Sequence, residues 1–337
     1  MRIAIVYNLL RKKPDIQEDE EAEFDLKNTI QGIKEALESG GHKVYLVEAD
    51  ENAYLKLKKI KSKIDLVFNI SEGKRGESRE AQIPAMLEML GIPYTGSGPL
   101  SLAICLDKAL TKRILLYHEI PTAKFQLFQN KGQQLDKKMK FPLFVKPNIE
   151  GSSKGIFNDA IVKDKKILYQ KMSNLIKRYK QPVLVEEYLP GREFTVSILG
   201  NGEDIMCLPV VEPRFGALPK KANPIDSFES KHIWDFDWNN NYYQCPAKIS
   251  KKLEGLIKKI ALKTFQVLNC RDLSRIDIRL DRKGNPNVLE INPLPAIGCY
   301  YPSDFPESAE VMGIKYSQLI NKIVDLACLR YKTKSYI

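Results

Sequence analysis

The sequence predicts an α/β unit at the amino terminus followed by a β-richer α+β region, and three observations predict it. Short apolar runs alternate with helical patterns over the first hundred residues. A turn-rich stretch, 92–98, then interrupts the chain, and beyond it strand patterns are joined by glycine turns. At 337 residues the chain is long enough for two or three compact domains rather than one.

Taken in order, the runs Ile3 to Tyr7, Val44 to Val47 and Leu66 to Ile70 read as buried parallel strands. Between the first two, Leu26, Ile30, Ile33 and Leu37 recur at helical spacing and Gly40-Gly41 stops the helix, which makes a β-α-β unit. A second helical pattern runs from Ala81 to Leu90 and ends at Gly91. Another follows the turn-rich stretch, with Leu102, Leu106 and Leu110 on one stripe. Strand patterns then appear at Phe144 to Lys146, at Val183 to Glu187, and at Phe194 to Leu199 before the hairpin signal Asn201-Gly202.

Composition excludes several classes. With 43% hydrophobic and 28% charged residues the chain has the material for a core and lacks the bias of a disordered one. Its six cysteines show no CxxC pairing and only three histidines accompany them, so buried free thiols are expected rather than zinc ligands. The apolar run after Met1 is too short for a signal peptide, and no stretch reaches the roughly 18 apolar residues of a spanning helix. Cytoplasm is the expected location, with no membrane partner. The formal charge of +11 raises nucleic acid as a partner, but the richest run, Lys56 to Lys63, carries Leu57, Ile60 and Ile64 at helical spacing. Its lysines read as the solvated face of an ordinary helix, and no nucleic acid is expected.

Three segments carry chemistry. In Arg275-Ile276-Asp277-Ile278-Arg279-Leu280 and Val288-Leu289-Glu290-Ile291-Asn292, polar and apolar residues alternate, so Arg275 and Asp277 share one strand face, as do Glu290 and Asn292. A turn centred on Lys283-Gly284 would set Asp277 opposite Glu290 and Arg275 opposite Asn292. Opposed Cβ atoms lie ~5 Å apart, where two carboxylates repel unless a cation such as Mg²⁺ sits between them. The alternative is a solvated hairpin. The stretch Phe144 to Gly155 places Lys146 at a strand end before a loop, Glu150-Gly151-Ser152-Ser153, whose N–H groups and hydroxyls suit phosphate oxygens; a plain turn is the alternative. In the third, Val183 to Phe194, Glu186, Glu187 and Glu193 flank apolar strands and could accept hydrogen bonds from an amino group or a ribose, or simply face water.

With Thr95-Gly96-Ser97-Gly98 and Leu106-Asp107-Lys108 upstream, these segments in this order resemble the ATP-grasp superfamily, and within it the D-alanine–D-alanine ligases. The resemblance runs from about residue 65 to residue 327. It implies an ATP-grasp fold with a Rossmann-like amino-terminal domain, 1–97, a central lobe, 98–183, and a carboxy-terminal lobe with the metal site, 184–337. The two lobes would enclose ATP.

Carried over by position, Lys108 and Lys146 would contact phosphates, with Ser152 and Ser153 in the loop beside them. Glu186 would face the adenine amino group and Glu193 the ribose, while Glu187, Tyr188 and Leu189 would pass beside the base. Asp277, Glu290 and Asn292 would ligate two Mg²⁺ ions, or Mn²⁺ in their place. Arg275 would stabilise an oxyanion, Ser152 would orient the first substrate, and Lys231 would reach the γ-phosphate from a mobile loop. The implied reaction joins a carboxylate to an amine through an acyl phosphate, on small amino-acid substrates, in a homodimer.

The pattern breaks at the substrate positions. Tyr7 to Lys13 replaces a glycine-rich turn, so the family's amine-binding glutamate matches none of Glu18, Glu20, Glu21 or Glu23 in particular. Glu72 stands for a histidine, His232 for a tyrosine, Ala296 for a glycine and Tyr301 for a serine that meets the acceptor's carboxylate. Three readings therefore stand: a D-alanine dimeriser with compensated pockets, a ligase of other amino or carboxylic acids, and an ATP-binding module without catalysis.

Overall fold

The computed structural model describes residues 1–234, 242–299 and 303–333. Strands β1 (Arg2–Tyr7), β2 (Lys43–Glu48) and β3 (Leu66–Ile70) form a parallel sheet in the order β2-β1-β3. Helices α1 (Lys27–Ser39), α2 (Ala53–Ile60) and α3 (Gln82–Leu90) connect and cover it. Strand alternation sends Ile3 and Ile5 to one face, against Ile30 and Ile33 of α1, and Ala4 and Val6 to the other, against Leu57 and Leu87. Gly91 ends α3 at φ +62°, a left-handed conformation that glycine adopts without strain.

Helices α4 (Pro99–Leu106) and α5 (Lys108–Tyr117) follow. The central sheet comprises β4 (Phe125–Phe128), β5 (Leu143–Pro147), β6 (Ile161–Val162) and, after α6 (Lys165–Tyr179), β7 (Val183–Glu187), in the order β4-β7-β5-β6. The third sheet is built from β8 (Glu193–Leu199), β9 (Met206–Cys207), β12 (Leu273–Leu280) and β13 (Pro286–Asn292). A small ribbon of β10 (Glu212–Pro213) and β11 (Tyr243–Gln244) lies between them in sequence. Helix α7 (Lys251–Val267) packs Ile257, Ala261 and Phe265 against Val196, Ile276 and Ile278 of that sheet.

Two of the expected boundaries move. β7 pairs with both β4 and β5, so the central sheet extends to Glu187 and the lobes change over at 188–192, not at 183. The apolar run reads equally well on either side of a boundary, and only the pairing decides. Within the expected central lobe, Cys105, Leu115 and Ile120 of the α4–α5 region join the core of the third sheet instead. After α8 (Asp304–Val311), the last helix, α9 (Tyr316–Thr333), returns to the first sheet and packs Leu319, Ile320 and Ile323 beside Ile3 and Ile30. Arg330 on α9 binds Asp272 Oδ2 at 2.8 Å and the Tyr94 carbonyl at 2.8 Å, clasping the two ends of the molecule. Of the thiols expected to be buried, Cys105 and Cys270 are, whereas Cys299 is exposed.

The β12–β13 hairpin sets Arg275 opposite Asn292 and Asp277 opposite Glu290, the pairs expected from a turn centred on Lys283-Gly284. The register reaches that result by two offsets that cancel. Next to the turn the pairs are Leu280 with Pro286 and Ile278 with Val288, one residue short of a turn centred on Lys283-Gly284. A bulge that leaves Leu289 unpaired then restores the count, and a bulge re-aims the residues beyond it.

Candidate active site

The central and third sheets supply opposite walls of a cavity of about 80 Å³, with Phe144, Lys146 and Glu186 on one side and Glu193, Asp277, Arg279 and Glu290 on the other. Ser153, Glu187, Tyr188, Leu189 and Lys231 also line it. Glu186 is only 2% exposed and is held between two ammonium groups, Lys112 Nζ at 2.5 Å and Lys146 Nζ at 2.9 Å. Burial pushes its carboxyl up, but the two lysines outweigh burial and hold it below the usual range. Each oxygen keeps a further lone pair for another donor.

Arg279 organises the opposite wall. Its Nη1 donates to Glu193 at 2.9 Å, and its Nη2 to the Tyr188 hydroxyl at 2.9 Å and the Pro224 carbonyl at 2.7 Å. The guanidinium also stacks over the Tyr188 ring at 5.0 Å. One side chain thereby ties β12 to β8, to the lobe connection and to the 224–232 segment. Burial raises the Glu193 carboxyl to about 7, opposed by Arg279.

Glu193, Asp226, Lys231, Asp277 and Glu290 line this cavity and also a second one, of about 340 Å³. At this junction Asp277 accepts two bonds from Arg275, at 3.0 and 2.8 Å, one from the Asn292 amide at 3.0 Å and one from Thr195 at 3.1 Å. Burial would raise Glu290, but Lys108, Lys146, Lys231 and Arg275 hold it at about 2. Lys108 Nζ lies 3.7 Å from Glu290, and Lys231 Nζ is held by Asp226 at 2.9 Å. Two opposed carboxylates and an amide form an all-oxygen set that fits a hard dication such as Mg²⁺.

The Glu150–Ser153 loop closes one side. Ser152 and Ser153 sit at φ +44° and +58°, left-handed conformations that cost about 1 to 2 kcal/mol each for non-glycine residues. Contacts from two directions hold them. The Gly151 N–H donates to Glu23 at 2.6 Å, Ser153 Oγ donates to the Asp226 carbonyl at 2.7 Å, and His232 Nε2 lies 3.2 Å from the Ser152 carbonyl. A Cβ at 151 would stand 2.4 Å from Glu23 Oε1, so a side chain there would displace the Glu23 carboxylate. Lys231 and His232 lie on a single wide π turn, Glu229–Ile233, a geometry frequent at functional sites.

The second cavity gathers Glu72, Ser152, His232, Arg275, Asn292 and Ala296 with Lys108 at its edge. Tyr301 lies outside the described residues. A serine is nonetheless in this wall, Ser303, whose hydroxyl donates to the Ala296 carbonyl at 2.6 Å. Among the four glutamates that the sequence left open, Glu23 is the one in the cavity: its side chain is 4% exposed and pairs with Arg79 at 2.6 Å. Glu18 instead pairs with Lys12, and Glu21 accepts from the backbone of Arg11 and Lys12.

Sequence reasoning missed Lys112, Arg79, Arg279 and Asp304. Arg279 continues the face of Arg275 and Asp277, and Lys112 lies one helical turn after Lys108, so both had a local signal. Arg79 and Asp304 had none, because their partners are distant in sequence.

Residues 114–325 match the family model described as D-ala D-ala ligase C-terminus. A D-alanine–D-alanine ligase of Pelotomaculum thermopropionicum is 36% identical over 277 residues, covering 79% of this chain and 80% of that protein. An uncharacterized protein of Sinorhizobium fredii, y4sG, is 37% identical over 302 residues, covering 88% and 86%. The crystal structure of the Bacillus anthracis D-alanine–D-alanine ligase complexed with ATP superposes with a TM-score of 0.75 at 26% identity, over 98% of this chain and 99% of that one.

Proposed function

The chain belongs to the D-alanine–D-alanine ligase family of ATP-grasp enzymes, ATP-dependent ligases that form a peptide bond, and from that premise we propose how its residues divide the work. The observation that carries the reading is the junction, where Arg275, Asp277, Glu290 and Asn292 meet three lysines between the two cavities. The smaller cavity takes the base and ribose of ATP, with Glu186 and the 187–189 backbone along the base and Glu193 at the ribose. Lys108, Lys146 and Lys231 hold the phosphates, aided by the N–H groups of the Ser152-Ser153 loop.

Asp277, Glu290 and Asn292 would hold Mg²⁺, two ions or Mn²⁺ in their place, which when bound neutralises charge on the phosphate oxygens. The amino acids occupy the larger cavity. A carboxylate oxygen of the first attacks the γ-phosphorus and ADP leaves, giving an acyl phosphate; the amine of the second attacks that carbonyl, and phosphate departs. Arg275 and the Ala296 N–H stabilise the oxyanion between those events, and Lys231 with its turn excludes water that would hydrolyse the intermediate. Ser152 orients the first substrate. No side chain acts as nucleophile.

The Pelotomaculum relative is named for joining D-alanine, and a cell-wall precursor dipeptide made in the cytoplasm by a homodimer is the first reading. Glu72 in the cavity wall favours a second, in which other amino acids are joined. Among the described residues, no helix is long and apolar enough to cross a membrane. ADP release with Mg-ATP and D- and L-amino acids, singly and in pairs with products weighed, tests both. A D-alanyl dipeptide formed at ordinary enzymatic rates, ~1 to 10³ s⁻¹, supports the first. Another product supports the second, and silence across the panel counts against the ligase reading.

A further inference from the structure

The charges of the larger cavity do not balance. Near the amino-terminal sheet, Arg79 and Lys154 are committed to Glu23 and Glu150: Arg79 pairs with Glu23 at 2.6 Å and donates to the Ile149 carbonyl at 2.8 Å, and Lys154 pairs with Glu150 at 2.6 Å. Lys108 is committed to the Glu150 carbonyl at 2.5 Å and to Glu290. Three more carboxylates, Asp25, Glu72 and Glu80, line the same wall. Among the described residues none of the three has a hydrogen bond or ion pair to its side chain, and Glu80 is 8% exposed. Desolvation raises Asp25 and Glu80 to about 7 and holds Glu72 well above the usual carboxylate range; Glu80 and Glu23 add to the rise at Glu72, while Arg79 opposes it at both glutamates and Lys108 at Glu80. Across the cavity Asp304, also 8% exposed, leaves Oδ1 without a hydrogen-bond partner.

Glu80 is buried and Asp25 and Glu72 are half-buried, and carboxylates held from water without partners are costly unless a cation or a proton neutralises them. A simple amino acid brings one ammonium and one carboxylate, hence no net positive charge, and so cannot neutralise this wall. At about 340 Å³ the cavity falls within the roughly 300–1,000 Å³ range of small-molecule sites. We infer that one of the joined amino acids carries a cationic group beyond its α-amine, an amine or guanidinium seated among Asp25, Glu72 and Glu80. The inference rests on the ligase reading and names a substrate class within it.

The test pairs substrates of matched shape and different charge: ornithine, lysine and arginine against norvaline, norleucine and citrulline, in both chiralities, each with Mg-ATP. ADP release should favour at least one cationic amino acid over its neutral counterpart by about tenfold or more in kcat/KM. Glu80→Gln and Glu72→Gln, which keep side-chain shape, should each bring the ratio of kcat/KM between the cationic substrate and its neutral counterpart down toward one. Equal or better use of the neutral set overturns the inference and leaves the ligase reading standing. If no amino acid releases ADP, the ligase reading fails instead, and calorimetric binding of the same pairs decides. Tighter binding of the cationic member, weakened by Glu80→Gln, upholds the inference, and equal binding overturns it.

Discussion

At the proposed nucleotide end of the cleft the buried carboxylates have opposites: Glu186 lies between Lys112 and Lys146, and Glu193 meets Arg279. At the proposed amino-acid end, among the described residues, Asp25, Glu72 and Glu80 have no ion pair; Arg79 acts on the two glutamates and Lys108 on Glu80 only from beyond contact distance. A pocket for a polyanion needs lysines, and lysines at close quarters need carboxylates when the ligand is away, so the nucleotide end is compensated within the fold. The other end leaves its compensation to what binds there. Removing a charge should therefore be harmful at the first end and favourable to stability at the second.

The largest effect belongs to the junction. Asp277→Asn or Glu290→Gln should lower kcat for ADP release by about 10³-fold, in line with removal of a principal electrostatic group, and a loss below tenfold would move the chemistry elsewhere. Next comes Lys112→Met. Lys112 is 1% exposed, and stripping one partner from Glu186 should cost about 3 to 5 kcal/mol in urea unfolding. Glu80→Gln should act in the opposite sense. Because the Glu80 carboxyl is raised from 4.5 to about 7, its contribution to stability is fully present below pH 4.5 and is lost as pH rises through 7. The variant should gain about 2 kcal/mol over the parent at pH 8 and nothing at pH 4, read from unfolding at both. The smallest effect is Ser153→Ala, which removes one bond to the Asp226 carbonyl and should cost about 1 kcal/mol in the same measurement.

Much of the nucleotide end was legible because it is written in local periodicity. The strand alternation that puts Arg275 and Asp277 on one face also carries Arg279, and the hairpin pairs Asp277 with Glu290 as a turn centred on Lys283-Gly284 would. The bulge at Leu289 was not legible, and the prediction held only because the bulge cancels an offset in the turn. Lys112 shows the limit of local reading: its helical position was visible, but its partner Glu186 lies in another element. The amino-acid end is made from contacts between distant segments. Glu23 meets Arg79, 56 residues away, and Gly151, 128 residues away, and neither spacing leaves a trace in sequence. The lobe boundary after Glu187 likewise depended on strand pairing.

In the proposed reaction the substrate's own carboxylate is phosphorylated at this junction before the amide forms. The direct measurement is turnover of an amino acid labelled with ¹⁸O in its carboxylate, followed by mass analysis of the phosphate released. An acyl phosphate requires one labelled oxygen in each phosphate, because the attacking carboxylate oxygen leaves with the phosphorus. Phosphate carrying no label would mean that water, and not the substrate, had attacked ATP.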